Sequence, residues 1–125
     1  MIVIALFAAA AAVPQSLLDE ADAASLAHTE CEFATVRAAN QARLPAAALE
    51  ERLGTSCAAE ERALRSASIR VFRARGNPNP DVEADRMIRN GRRLMVENYR
   101  KLPEIEAQLE QLSEICRARP EACRE

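Results

Sequence analysis

The chain has 125 residues and a formal charge of −2, so it is the size of one domain and has no excess of positive charge to draw it to nucleic acid. Three glycines, three phenylalanines and one tyrosine, set among alanine, leucine, glutamate and arginine, leave little material for strands and predict an all-α protein.

The first element is an apolar run from Ile2 to Val13, closed by Pro14, Gln15 and Ser16. Its length matches the apolar stretch of a secretory leader and falls short of the ~20 residues a helix needs to cross a hydrocarbon core. Ala10, Ala11 and Ala12 form a small-x-small signal that places cleavage before Val13, within a window of 12–16, and leaves a single helical domain over 13–125. Only the terminal amine is positive ahead of the run, so a retained anchor and a buried N-terminal helix are the competing assignments. No cysteine follows the run at a lipid-attachment position.

Export gives the four cysteines, Cys31, Cys57, Cys116 and Cys123, a reading as disulfides, because an even count in an oxidising compartment pairs up. A first helix is expected from Ser16, as its cap, to Arg43, with Asp19, Glu20 and Asp22 near its positive end. Leu44-Pro45 ends it, since the residue before proline is pushed out of the α region. A second helix then runs from Pro45 to Arg75, with Gly54, Thr55 and Ser56 as a bend or interruption.

Cys31 and Cys57 lie at almost equal distances from this break, so an antiparallel hairpin over 16–75 sets them at the same height. Ala24, Ala27, Ala34 and Ala38 form a small-residue stripe around Cys31, opposite Leu18, Leu26, Phe33 and Val36. Leu49, Leu53, Leu64 and Val71 share the stripe of Cys57. A Cys31–Cys57 bridge would stabilise by roughly 3.5 kcal/mol on the chain-entropy relation. The second pair, Cys116 and Cys123, brackets Pro120, which stops a helix and lets the chain turn back into a disulfide-closed tail over 116–123. Four cysteines permit three pairings, and the crossed ones stay open at this level.

The loop 76–80 contains Gly-Asn-Pro-Asn-Pro, after which Asn79 caps and Pro80 opens a helix with Asp81, Glu83 and Asp85 in its first turns. Arg86, Arg89, Arg92 and Arg93 follow as a candidate patch for an acidic partner or anionic head groups. Acids four residues away, as in Asp85-Arg89, Arg93-Glu97 and Glu97-Lys101, offer a solvated, ion-paired face instead. Pro103 should end or kink this helix near Leu102, giving C-terminal helices over 80–118. Leu102, Ile105, Leu109, Leu112 and Cys116 then make an a/d seam shorter than three heptads, expected to bury against the hairpin, with a homodimer through 102–116 as the other use. The expected architecture is a small disulfide-stapled helical bundle: an antiparallel hairpin plus one long proline-kinked helix or two shorter ones.

No catalytic constellation is visible. The chain has one histidine, His28, and lacks a glycine-rich phosphate loop, a nucleophile elbow and an H-E-x-x-H pair. Glu50-Glu51 and Glu60-Glu61 are sequence neighbours and point about 100° apart on a helix. The cysteines lack C-x2-C spacing for zinc or redox work; His28-x-x-Cys31 is the near miss. No metal, cofactor or catalytic residue is assigned.

The alanine leader, the E-C-x-F-A-x-V-R-A-A stretch at 30–39 and the second cysteine in an alanine- and arginine-rich helix resemble small exported cysteine-containing all-helical proteins of unknown function from GC-rich Gram-negative bacteria. The single lysine against sixteen arginines agrees with such an origin. The resemblance covers roughly the first 75 residues and implies no activity. The expectation is a non-enzymatic periplasmic or secreted module that binds a protein or scaffolds the envelope, with no stable membrane span after cleavage. A periplasmic inhibitor or chaperone-like binder of one partner is the second reading, and a redox- or metal-responsive protein using Cys31, Cys57 and His28 the third.

Overall fold

A computed structural model describes residues 12–124, which are helical almost throughout, with no strand among them. Of the leader assigned above, residues 1–11 lie outside the described residues. Five helices follow in order: α1 (Gln15–Gln41), α2 (Ala46–Ser56), α3 (Ala58–Ala74), α4 (Pro80–Arg100) and α5 (Leu102–Ala118). A 3₁₀ turn over Pro120–Cys123 ends the chain.

α1 stops two residues earlier than the proline alone requires, because the chain closes its end with reciprocal backbone bonds: Arg43 donates to Asn40 at 3.1 Å and Leu44 to Ala39 at 2.9 Å. That motif needs a left-handed residue, and Arg43 takes the position at φ 52°. The same motif ends α3, where Gly76 occupies the left-handed site at φ 81° without a side chain to strain it. At the other end of α1, Pro14 precedes the helix and Ser16 lies inside it, so the serine cap is not formed. Pro45 sits one place before α2 rather than in its first turn.

The long second helix of the sequence reading is two helices. The break falls at Cys57, just beyond Gly54, Thr55 and Ser56, and backbone bonds continue on either side of it, so the chain bends without reversing. Cys57 is fully buried and bonded to Cys31, with 5.8 Å between Cα atoms. α1 therefore runs antiparallel to α2 and α3. Leu49, Leu53, Leu64 and Val71, the stripe shared with Cys57, are all buried. The alanine stripe on α1 is less faithful: Ala27, Ala34 and Ala38 face solvent, and the packed face runs through His28, Glu32 and Ala39.

α4 returns antiparallel to α3 and packs on both α3 and α2. Ala39 of α1, Leu49 and Leu53 of α2 and Val96 of α4 close a core at the end of the bundle where α1 turns into α2. The Tyr99 hydroxyl donates to the Leu44 carbonyl there, tying α4 to the turn. Arg65 bonds Asp85 at 2.7 Å between α3 and α4, and Arg70 pairs with Glu20 between α3 and α1. The i,i+4 reading of Asp85 with Arg89 is thus replaced by a bond across helices, because Arg65 reaches the carboxylate first.

The seam of the last helix is the main correction to the sequence reading. α4 ends at Arg100, Lys101 makes a one-residue turn, and Pro103 stands in the first turn of α5, where its missing N–H costs nothing. Beyond its first turn, where Leu102, Pro103 and Glu106 border the α1–α2 turn, α5 leaves the bundle, and among the described residues its main contacts are with the end of α4 and its own disulfide-closed tail. It has no buried residue, and Ile105, Leu109, Leu112 and Ile115 are between 42% and 59% exposed. One intervening residue is too short a link for the reversal that burial on the hairpin requires, since helix hairpins use two to five.

Two outcomes follow for stability. Replacing Cys31 and Cys57 together by alanine should lower the free energy of unfolding by roughly 3.5 kcal/mol in urea titrations, whereas replacing Cys116 and Cys123 should leave the main transition in place, because that loop closes outside the core. Arg43→Gly should raise stability by about 0.5–1 kcal/mol by relieving the left-handed side chain.

Candidate functional site

Below the closed core, α1 and α4 both lean on α3 and scarcely on each other. The result is a cavity of about 350 Å³ floored by α3 and walled by the other two. Helical spacing of three and four brings Leu18, Ala21, Ser25, His28 and Glu32 of α1 to it. α3 contributes Leu64, Ser68, Val71 and Phe72, and α4 contributes Met87, Ile88 and Gly91. The lining is mainly apolar with a polar centre.

That centre is the pair His28 and Glu32, each 8% exposed, with Nδ1 and Oε1 3.2 Å apart. Burial pushes the Glu32 carboxyl above the ordinary carboxylate range, and the nearby Glu61 pushes the same way. His28 and Arg92 oppose them by favouring the anion. Arg92 reaches from α4 to pair with Glu61 of α3, at half-buried depth. An imidazole oriented by a carboxylate is two parts of a nucleophile, base and orienter set. Ser25 and Ser68 line the same cavity, yet neither is hydrogen-bonded to His28 among the described residues.

The residues singled out by sequence are distributed as follows. Both cysteine pairs stand at bonding distance, and no cysteine among the described residues is free. With Cys57 sealed in the core and His28 turned to Glu32, the three residues of the redox or metal reading do not share one open site. No cluster of three metal-ligating side chains occurs among the described residues.

The arginine group is split. Arg92 turns inward to Glu61, Arg86 pairs with Glu83 at 3.0 Å, and Arg93 faces Glu97 at 3.9 Å. Arg89 stays exposed, and with Arg92, Arg93 and Arg100 it lines a second depression, of about 570 Å³, that also holds Glu50 and Glu97. Four arginines thus stand with two glutamates around this surface, and Arg86 lies outside it. Glu97-Lys101 is not among the ion pairs of the described residues.

Sequence reasoning missed Glu32 and Ser68. For Glu32 a signal exists: it stands four residues after His28 on the stripe of Leu18, Ala21 and Ser25, where a polar pair must be buried if the stripe is. Ser68 carries no such mark.

Against models of protein families, curated proteins and solved structures, the chain finds no match, so the site rests on its own chemistry. No helix among the described residues is long and apolar enough to cross a membrane.

The Glu32 carboxyl binds its proton more tightly folded than unfolded, so its support for the fold is complete below an unfolded value of about 4.3 and is lost as pH rises through the raised folded value. Urea midpoints of the protein and of Glu32→Gln, compared from pH 4 to 7, should therefore diverge in favour of the glutamine variant as pH rises.

Proposed function

We propose that this chain is a non-enzymatic binding module of an oxidising, extracytoplasmic compartment, and that α5 is the part that binds. The observation that carries this reading is an amphipathic helix with four large apolar side chains exposed and none of them packed into the bundle among the described residues. Soluble chains rarely leave such a seam open without a use for it. Spacing of i, i+4, i+7 and i+10 from Ile105 is that of a helix laid into a groove.

The two disulfides support the address and the role. Such bonds persist outside the reducing cytosol, which agrees with the apolar leader. Cys116–Cys123 closes the free end of α5 and limits fraying exactly where no tertiary contact would. A helix held in its binding shape loses less entropy when it docks.

The test uses the variant Ile105→Gln, Leu109→Gln, Leu112→Gln, since glutamine keeps helix propensity while removing the apolar seam. Its circular dichroism and thermal midpoint should match the parent, because the seam supports nothing within the bundle. Immobilised oxidised parent should retain protein from an envelope fraction that the variant loses. Equal retention by both, with the assembly state of the chain also unchanged, would refute the reading.

A further inference from the structure

The groove between α1 and α4 and the bare seam of α5 are unpartnered surfaces of one molecule, and they match. α1 and α4 cover α3 on two sides only, and the three together form a four-helix bundle lacking one member. Along α1 the groove extends from Leu18 to Glu32, about 21 Å at 1.5 Å per residue, and the seam from Ile105 to Ile115 covers about 15 Å. The helix fits the slot lengthwise.

The lips of the groove are apolar as well. Leu26 and Phe33 on α1 are 61% and 54% exposed, each one residue beyond a member of the lining stripe, about 100° farther round the helix. On α4, Met87 lines the groove, and Leu94, seven residues later on the same face, is 54% exposed. Among the charged groups lining the groove Arg75 stands against Asp22 and Glu32, so the match to α5 rests on apolar contact and length rather than on charge.

A chain cannot fill its own groove. α5 starts one residue after the end of α4, whereas Met87 and Gly91 lie nine residues or more before that end, roughly 14 Å back along the helix. The turn at Lys101 is too short to fold α5 back over that distance.

We therefore infer that α5 of one copy occupies the α1–α3–α4 groove of a second copy, and the second copy's α5 occupies the groove of the first. The exchange rests on α5 being the binding arm and names its occupant. Two-fold symmetry closes the assembly, and every area buried by an arm in a groove is buried twice, which is how a short helix approaches the roughly 1,600 Å² of a standard interface.

Sedimentation equilibrium of the full oxidised chain over a wide concentration range tests this. A monomer–dimer equilibrium is expected. Leu109→Glu on the arm and Met87→Glu on the groove lip should each raise its dissociation constant roughly ten- to a hundred-fold, with helicity unchanged. A photoreactive side chain in place of Leu112, in a mixture of isotope-labelled and unlabelled chains, should join the arm to peptides containing 18–32 or 87–94 of the other copy. A monomer at every concentration overturns the inference, as do dimers whose links join position 112 to 112. If the chain is monomeric while the triple glutamine variant still loses an envelope partner, the exchange falls and the binding role of α5 stands. If the triple variant changes neither mass nor capture, both fall.

Discussion

The bond between Cys31 and Cys57 sets the height at which α1 meets its neighbours, and most of the remaining geometry is reckoned from it. It lies at the bend where α2 becomes α3, so one covalent link places two helices against α1 at once. A chain with so few aromatic residues has limited apolar mass to bury. Constraining the unfolded ensemble at a mid-chain point offsets that shortage. From this anchor the pairs Arg70 with Glu20 and Arg65 with Asp85 fall into register on either side of α3, as expected for helices whose offsets are already settled.

The bundle is closed at one end and open at the other, and side-chain size explains why. Near the turn, Leu49, Leu53, Val96 and Tyr99 fill the space between α1, α2 and α4. Toward the other end, α1 presents Ala21, Ser25, His28 and Glu32, which are too small or too polar to draw α4 across. A buried imidazole–carboxylate pair takes the place of aliphatic packing, and its carboxyl shows the cost of that burial in a raised affinity for protons. The same polar stripe that prevents closure is what shapes the cavity.

α5 owes its position to backbone chemistry rather than to packing. Pro103 makes continuation of α4 unfavourable, and a single turn residue gives the chain nowhere to reverse. The seam therefore stands in water by construction. A disulfide-closed amphipathic helix beyond the reach of its own core contributes no buried residue to the bundle, which leaves its apolar side free for the binding role proposed for it.

Much of this was legible from residue order. Helical class follows from composition. The helix boundaries near Pro45, Gly76, Pro80 and Pro103 follow from φ restriction and missing donors, and spacing about prolines favours the two cysteine pairings observed without excluding the crossed ones. These are local rules, decided within a few residues. Tertiary structure alone decided which face of α1 is inside, since alanine and serine suit either side and the choice goes to whichever face α3 can cover. It also decided that Asp85 bonds Arg65 rather than Arg89, that Arg92 leaves its neighbours to meet Glu61, and that the seam of α5 stays bare. Periodicity states that a helix has an apolar side; it does not state what lies opposite, because that depends on where the preceding turn sends the chain.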